Sequence, residues 1–167
     1  MKNGVRLQAH KGVECEYPEN TMPSFLAAVR QGYEMIELDL GMTRDGKIVT
    51  LHDEAINDTA RLPDGQKLPE RINISDITYA EALFYDFGIG FSEKFKGTRI
   101  PLFEDVLPLA AENGVLLKID NKIRKFTPEQ LDALFSMLRA SGARVCISCW
   151  NGEIAEKTVR ELPGAEI

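Results

Sequence analysis

Tyr33-Glu34-Met35-Ile36-Glu37-Leu38-Asp39-Leu40 decides how the chain folds. Its apolar residues Ile36, Leu38 and Leu40 alternate with Glu37 and Asp39, the two-residue period of a β-strand, so both carboxylates share one side. Outward from this strand, short apolar runs alternate with helical patterns, the signature of βα units around a parallel sheet. Before it, a first strand is expected over Val5 to His10. Pro18-Glu19-Asn20-Thr21 follows, with Asn20 or Thr21 as N-cap of a helix whose face is Phe25, Ala28, Val29 and Gly32. After it, Asp45-Gly46 is a hairpin-type turn signal leading into a third strand, Lys47 to His52, either locally antiparallel to the second or merely close to it. Residues 53–98 break the pattern with Gly, Asp and Pro and read as an insertion within one domain of residues 1–167. Regularity returns with a helix over Leu102 to Asn113 that Pro101 introduces and Gly114 closes. A fourth strand is expected at Val115 to Lys122. Thr127-Pro128-Glu129-Gln130 is a capping box for a helix reaching Gly142, and a fifth strand follows at Arg144 to Trp150. A last helix, Gly152 to Leu162, leads into Pro163 to Ile167, the expected approach to a further strand that the chain does not contain.

In a parallel sheet covered by helices both faces are apolar, so two acids two residues apart are costly unless they are paired or bind a cation. Hard oxygen ligands favour Mg²⁺ or Ca²⁺. A strand with one solvated face is the plainer alternative. The chain has two histidines, and each closes an expected strand: His10 the first, His52 the third. Strand ends carry the reactive groups of (β/α) folds, and a histidine pair suits proton transfer near neutral pH. On the fourth strand Lys118, Asp120 and Lys122 alternate with Leu117, Ile119 and Asn121. Asp120 could complete a three-carboxylate metal site, and Lys122 could neutralise an anionic substrate oxygen. A surface strand with mixed charges is the alternative there.

The composition, 44% hydrophobic and 28% charged over 167 residues, is that of a globular protein and excludes disorder as the main state. A net charge of -6 argues against a nucleic-acid partner, which would call for an excess of Lys and Arg. No apolar run approaches the ~18 residues of a membrane span. Met1-Lys2-Asn3-Gly4-Val5-Arg6-Leu7 has no signal-like apolar stretch, so the expectation is a cytoplasmic protein. Cys15, Cys146 and Cys149 match neither a zinc site nor a disulfide framework. Cys146-Ile147-Ser148-Cys149 is a C-x-x-C on an apolar strand, where buried cysteines are common.

Together these residues resemble the glycerophosphodiester phosphodiesterase family. The matching text is His10-Lys11-Gly12, Pro18-Glu19-Asn20-Thr21, Glu37-Leu38-Asp39 with Thr43-Arg44-Asp45-Gly46, and His52-Asp53. Gly97-Thr98-Arg99-Ile100-Pro101-Leu102-Phe103-Glu104-Asp105-Val106-Leu107 and Leu117-Lys118-Ile119-Asp120-Asn121-Lys122 continue it. The resemblance implies a TIM-type (β/α) barrel that hydrolyses glycerophosphodiesters, its small-molecule substrates, to glycerol 3-phosphate and an alcohol with a divalent cation. It also implies Glu37, Asp39 and Asp120 as metal ligands, His10 and His52 as the acid and base pair, and Lys11 and Lys122 as phosphate contacts.

The chain departs from the family pattern in four places. Lys11 stands where the family usually has Arg, which keeps the charge but loses the bidentate fork. Asp120 stands where it usually has Glu, one methylene longer, and Asn57-Asp58 stand where relatives often carry Arg. The chain is also short, since a full (β/α)₈ barrel takes about 250 residues. It is expected to be truncated after about five βα units, either a fragment or completed by self-association or domain swapping. Two other functions fit these expectations. One is a catalytically impaired half-barrel that binds metal and phosphate or serves assembly. The other is a phosphodiesterase of lysophospholipids, for which the aromatic cluster from Phe84 to Phe95 speaks.

Overall fold

The structure is a computed structural model that describes residues 5–167. Met1 to Gly4, the start of the stretch inspected for a signal, lie outside the described residues. The chain runs β1 (Gln8–Ala9), α1 (Met22–Arg30), β2 (Met35–Leu38), β3 (Leu40–Met42), β4 (Ile48–Thr50), α2 (Tyr79–Ala82), α3 (Phe103–Asn113), β5 (Leu116–Ile119), α4 (Pro128–Ser141), β6 (Val145–Ile147) and α5 (Gly152–Glu161). The main sheet is parallel throughout, in the order β1-β2-β5-β6. Beyond β6, Glu166 bridges Cys146 in parallel, so residues after α5 already reach the next strand position, where the sequence predicts an approach alone.

The second strand is shorter than expected. It stops at Leu38: the Asp39 amide donates to the Asn20 side chain and the Asp39 carbonyl accepts from the Leu51 N–H, so the chain leaves the parallel sheet and bends into β3. The expected third strand forms as β4, but it is antiparallel to β3 and stays out of the parallel sheet. Gly46, at φ 76°, makes the tight turn between them. The fourth strand also ends early, at Ile119. Asp120 caps a 3-10 helix over Asn121–Lys125 by accepting from the Lys122 backbone N–H at 3.0 Å, which takes Lys122 off the strand alternation. Asp is a good cap because its carboxylate satisfies an orphan amide at a helix start.

Helices α1, α3 and α4 pack next to one another along one face of the sheet. Phe25, Phe103 and Phe135 from these helices are fully buried against Ile36, Leu38, Leu117 and Ile119 of the strands. The α4 capping box between Thr127 and Gln130 is present as read from the sequence, and Gly114 and Gly142 close α3 and α4 in the left-handed conformation. Residues 53–98 bury their own cluster of Ile56, Ala60, Leu68, Ile74, Ala82 and Phe87, shared with Val49 and Leu51 of the hairpin. Among the described residues no helix is long and apolar enough to cross a membrane.

Candidate active site

The carboxyl ends of β1, β2 and β5 lie side by side in the sheet and present His10, Glu37, Asp39 and Asp120. Glu37 and Asp39 are only 6% and 2% exposed, so the strand with a solvated face is not what forms. Burial pushes the Glu37 carboxyl above its ordinary range, and the charges of Asp39 and Asp120 push it further. The Lys11 backbone N–H and the charge of His10 oppose the rise. The Lys11 N–H reaches Glu37 Oε2 at 3.1 Å because Lys11 has φ 52° and Gly12 φ 78°. At Gly12 a Cβ would lie 2.2 Å from Ser24 Oγ, so only glycine fits.

Asp39 is gripped by Asn20, whose Nδ2 donates to Asp39 Oδ2 at 3.0 Å and whose Oδ1 accepts from the Asp39 amide at 3.2 Å. Lys122 Nζ, 3.4 Å from Asp39 Oδ1, also donates to the His52 carbonyl at 2.6 Å, tying the turn after β5 to the end of β4. His52 Nδ1 faces Asp53 Oδ1 at 2.9 Å. His10 Nδ1 lies 2.6 Å from Glu14 Oε1, and its Nε2 lies 3.8 Å from Glu37 Oε2. The hydrogen bond to Glu14 is the main cause that raises the His10 pKa above its ordinary value, against the effect of burial. The Lys11 ammonium is held by Glu19 at 3.2 Å.

His10 Nε2 and the Lys11 backbone N–H lie against Glu37, Lys122 Nζ links Asp39 to the His52 carbonyl, and the charge of Asp120 acts on Glu37, whereas the Lys11 ammonium is turned to Glu19 and the His52 imidazole to Asp53. Among the described residues the structure gathers no three His, Cys, Asp or Glu side chains into a ready metal centre. The donor chemistry nevertheless fits a hard divalent cation. Glu37 is a buried carboxylate under repulsion from two others, which is the condition a cation relieves. Sequence reading missed Glu14 and Glu19, the carboxylates that hold His10 and Lys11. It also took Asn20 for a possible helix cap. The capping position belongs to Thr21, whose hydroxyl donates to the Pro18 carbonyl, while Asn20 serves Asp39.

A cavity of about 510 Å³ adjoins the site, lined by His52, Lys122, Leu40, Leu51, Ile74 and Phe126. Another, about 610 Å³, lies at the opposite end of the strands around Arg6, Glu34, Arg144 and Glu166, away from these groups.

The chain is similar to known proteins. YqiK of Bacillus subtilis is 30% identical over 165 residues, covering 97% of this chain and 65% of its own. The glycerophosphodiester phosphodiesterase of Caldanaerobacter subterraneus subsp. tengcongensis is 37% identical over 114 residues, 68% of this chain and 44% of its own. An Oleispira antarctica phosphodiesterase, solved in complex with the product sn-glycerol-3-phosphate, superposes at TM-score 0.78 with 20% identity over 96% of this chain and 64% of that one. The chain spans less than two thirds of the length of each. At that identity the solved structure speaks for the fold, and the present strands and helices are part of a TIM-type (β/α) barrel. The glycerophosphoryl diester phosphodiesterase family matches residues 10–167, and the chain belongs to that family.

Proposed function

We propose that the chain carries the catalytic strand ends of a glycerophosphodiesterase, which hydrolyses glycerophosphodiesters to glycerol 3-phosphate and an alcohol. The reading extends to a single domain over residues 1–167 that lacks the C-terminal strands of a full barrel, with 53–98 inserted between its third and fourth expected strands. The observation that carries it is the buried Glu37 and Asp39 pair flanked by a histidine: two carboxylates kept out of water beside an imidazole, where structure alone would favour apolar residues.

Glu37, Asp39 and Asp120 would hold the divalent cation, Mg²⁺ or Ca²⁺. When bound, it supplies positive charge that stabilises the phosphoryl oxygens. Lys122, already between Asp39 and the His52 carbonyl, adds a point charge on the same side. Lys11 would contribute its ammonium to the phosphate by leaving Glu19, while its backbone N–H keeps Glu37 oriented. His10 and His52 divide the proton traffic. One takes the proton from the oxygen nucleophile as the new P–O bond forms. The other gives a proton to the departing alkoxide as the old P–O bond breaks.

The test is release of glycerol 3-phosphate from glycerophosphocholine by the purified chain, with Mg²⁺ or Ca²⁺ and with chelator, His10→Ala serving as control for contaminating enzyme. Turnover that needs the cation and disappears in the variant supports the reading. Turnover that survives His10→Ala sinks it. A second reading, lysophospholipid hydrolysis, is favoured by the outward Phe84 and Phe91, 58% and 47% exposed. It predicts that lysophosphatidylcholine is cleaved faster than glycerophosphocholine.

A further inference from the structure

Glu14 lies in the tight turn after β1, where Glu16 and Tyr17 both donate their amides to the Val13 carbonyl and Val13 donates to the Ser24 carbonyl. That turn fixes the backbone from which the Glu14 side chain reaches back four residues to the imidazole. A carboxylate can only accept at the 2.6 Å contact, so the imidazole must carry its hydrogen on Nδ1. In the neutral ring the other nitrogen, Nε2, then holds the lone pair, and it is the one that faces Glu37 Oε2 at 3.8 Å.

We propose that Glu14 is a positioning residue for His10: its carboxylate selects the Nδ1–H tautomer and holds the ring so that Nε2 exchanges protons at the reacting centre. The inference rests on the proposed phosphodiesterase reading for its kinetic consequence, but the tautomer itself does not. Free imidazole side chains prefer the opposite tautomer, so without Glu14 the lone pair would mostly lie on Nδ1, turned away from the site. The same logic is general for histidines whose second nitrogen is held by an acid.

The chain has two histidines, so ¹⁵N-labelled imidazoles give two spin systems, assigned with His10→Ala. At pH 8 or above, His10 of the wild type is expected to show a protonated Nδ1 and an unprotonated Nε2. Glu14→Ala should shift His10 toward the Nε2–H form and leave His52 unchanged, while Glu14→Gln, whose amide oxygen still accepts, should keep the wild-type pattern. In turnover, Glu14→Ala should lower kcat by about tenfold or more with KM little changed, and Glu14→Gln should restore most of it. Glu14 is partly exposed, and matching unfolding midpoints for the three proteins identify a folded comparison. A wild-type tautomer in Glu14→Ala overturns the proposal, as does an unchanged kcat in that variant when His10→Ala is inactive. Full activity in His10→Ala would instead overturn the catalytic role of His10, and the tautomer result would still decide the role of Glu14.

Discussion

Asn20 holds Asp39 from two sides while its own backbone is committed twice, its amide donating to the Lys11 carbonyl and its carbonyl accepting from Thr50 Oγ1. It is 3% exposed and has φ 52°, a conformation that Asn tolerates better than most residues. Asn20→Ala should therefore cost about 2 kcal/mol by leaving a buried carboxylate and a buried amide short of partners. Asn20→Asp should cost more, because it sets a second carboxylate against Asp39. Urea unfolding of the three proteins checks the order, and a milder effect for the Asp variant would refute the account. At this scale the acids and histidines are legible from sequence, since alternation alone puts Glu37 and Asp39 on one side. Asn20, Glu14 and Glu19 are not. Their partners depend on a positive φ at Lys11 and Asn20 and on a turn whose shape no hydrophobic period encodes.

Elements with strong local chemistry form where the sequence puts them. The Thr127 capping box starts α4, and Gly114 ends α3, because caps act within a few residues. The strands are less faithful. Tyr33 to Leu40 reads as one strand, yet the hydrogen bonds of the Asp39 backbone to Asn20 and Leu51 divide it into β2 and β3. Val115 to Lys122 likewise reads as one strand, but the Asp120 cap turns its last residues into a 3-10 helix. Within 53–98 the order rests on Asp86. Its carboxylate is 2% exposed and accepts from the amides of Gly88, Ile89 and Gly97 at 2.8, 3.0 and 2.6 Å. Burial alone would raise its pKa, but these three donors outweigh burial and lower it. Asp86→Ala should destabilise the protein by about 2 to 3 kcal/mol and speed hydrogen exchange at Gly88, Ile89 and Gly97 before the rest of the chain. Uniform exchange across the chain would show that Asp86 is not the anchor.

On α5, Glu161 accepts from Lys157 at 2.8 Å and from Arg139 of α4 at 2.8 Å, with Arg160 at 3.1 Å. Lys157 most of all, then Arg139 and Arg160, hold its carboxyl down to about 2 against the effect of burial. A carboxylate with a depressed folded pKa stabilises above its unfolded value, near 4.5, and that contribution is lost as the pH falls from there toward about 2. The cluster is solvent-screened, so about 1 kcal/mol is at stake. Glu161→Gln should be less stable than the wild type at pH 7 and should lose less stability than it between pH 5 and 2.

For the whole molecule, the buried Glu37, crowded by Asp39 and Asp120, means that the folded state contains negative charge it would be better without. Burial and the neighbouring carboxylates raise the Glu37 pKa, which is the mark of that cost. The unfolded chain hydrates the same groups and has no arranged site. A divalent cation bound between these strand ends must therefore favour folding by RT ln(1 + [L]/Kd), about 2.7 kcal/mol at a hundredfold excess over Kd. For a chain of this size that corresponds to a rise in Tm on the order of 5 to 10 °C. Thermal unfolding in Mg²⁺, in Ca²⁺ and in chelator should show the rise, and Glu37→Gln should abolish it. Removing the carboxylate charge should also make the metal-free variant no less stable than the metal-free wild type, since it relieves the repulsion. An equal cation-induced rise in Glu37→Gln would place the cation elsewhere, whereas a rise confined to the wild type ties the charge balance of the folded chain to these strand ends.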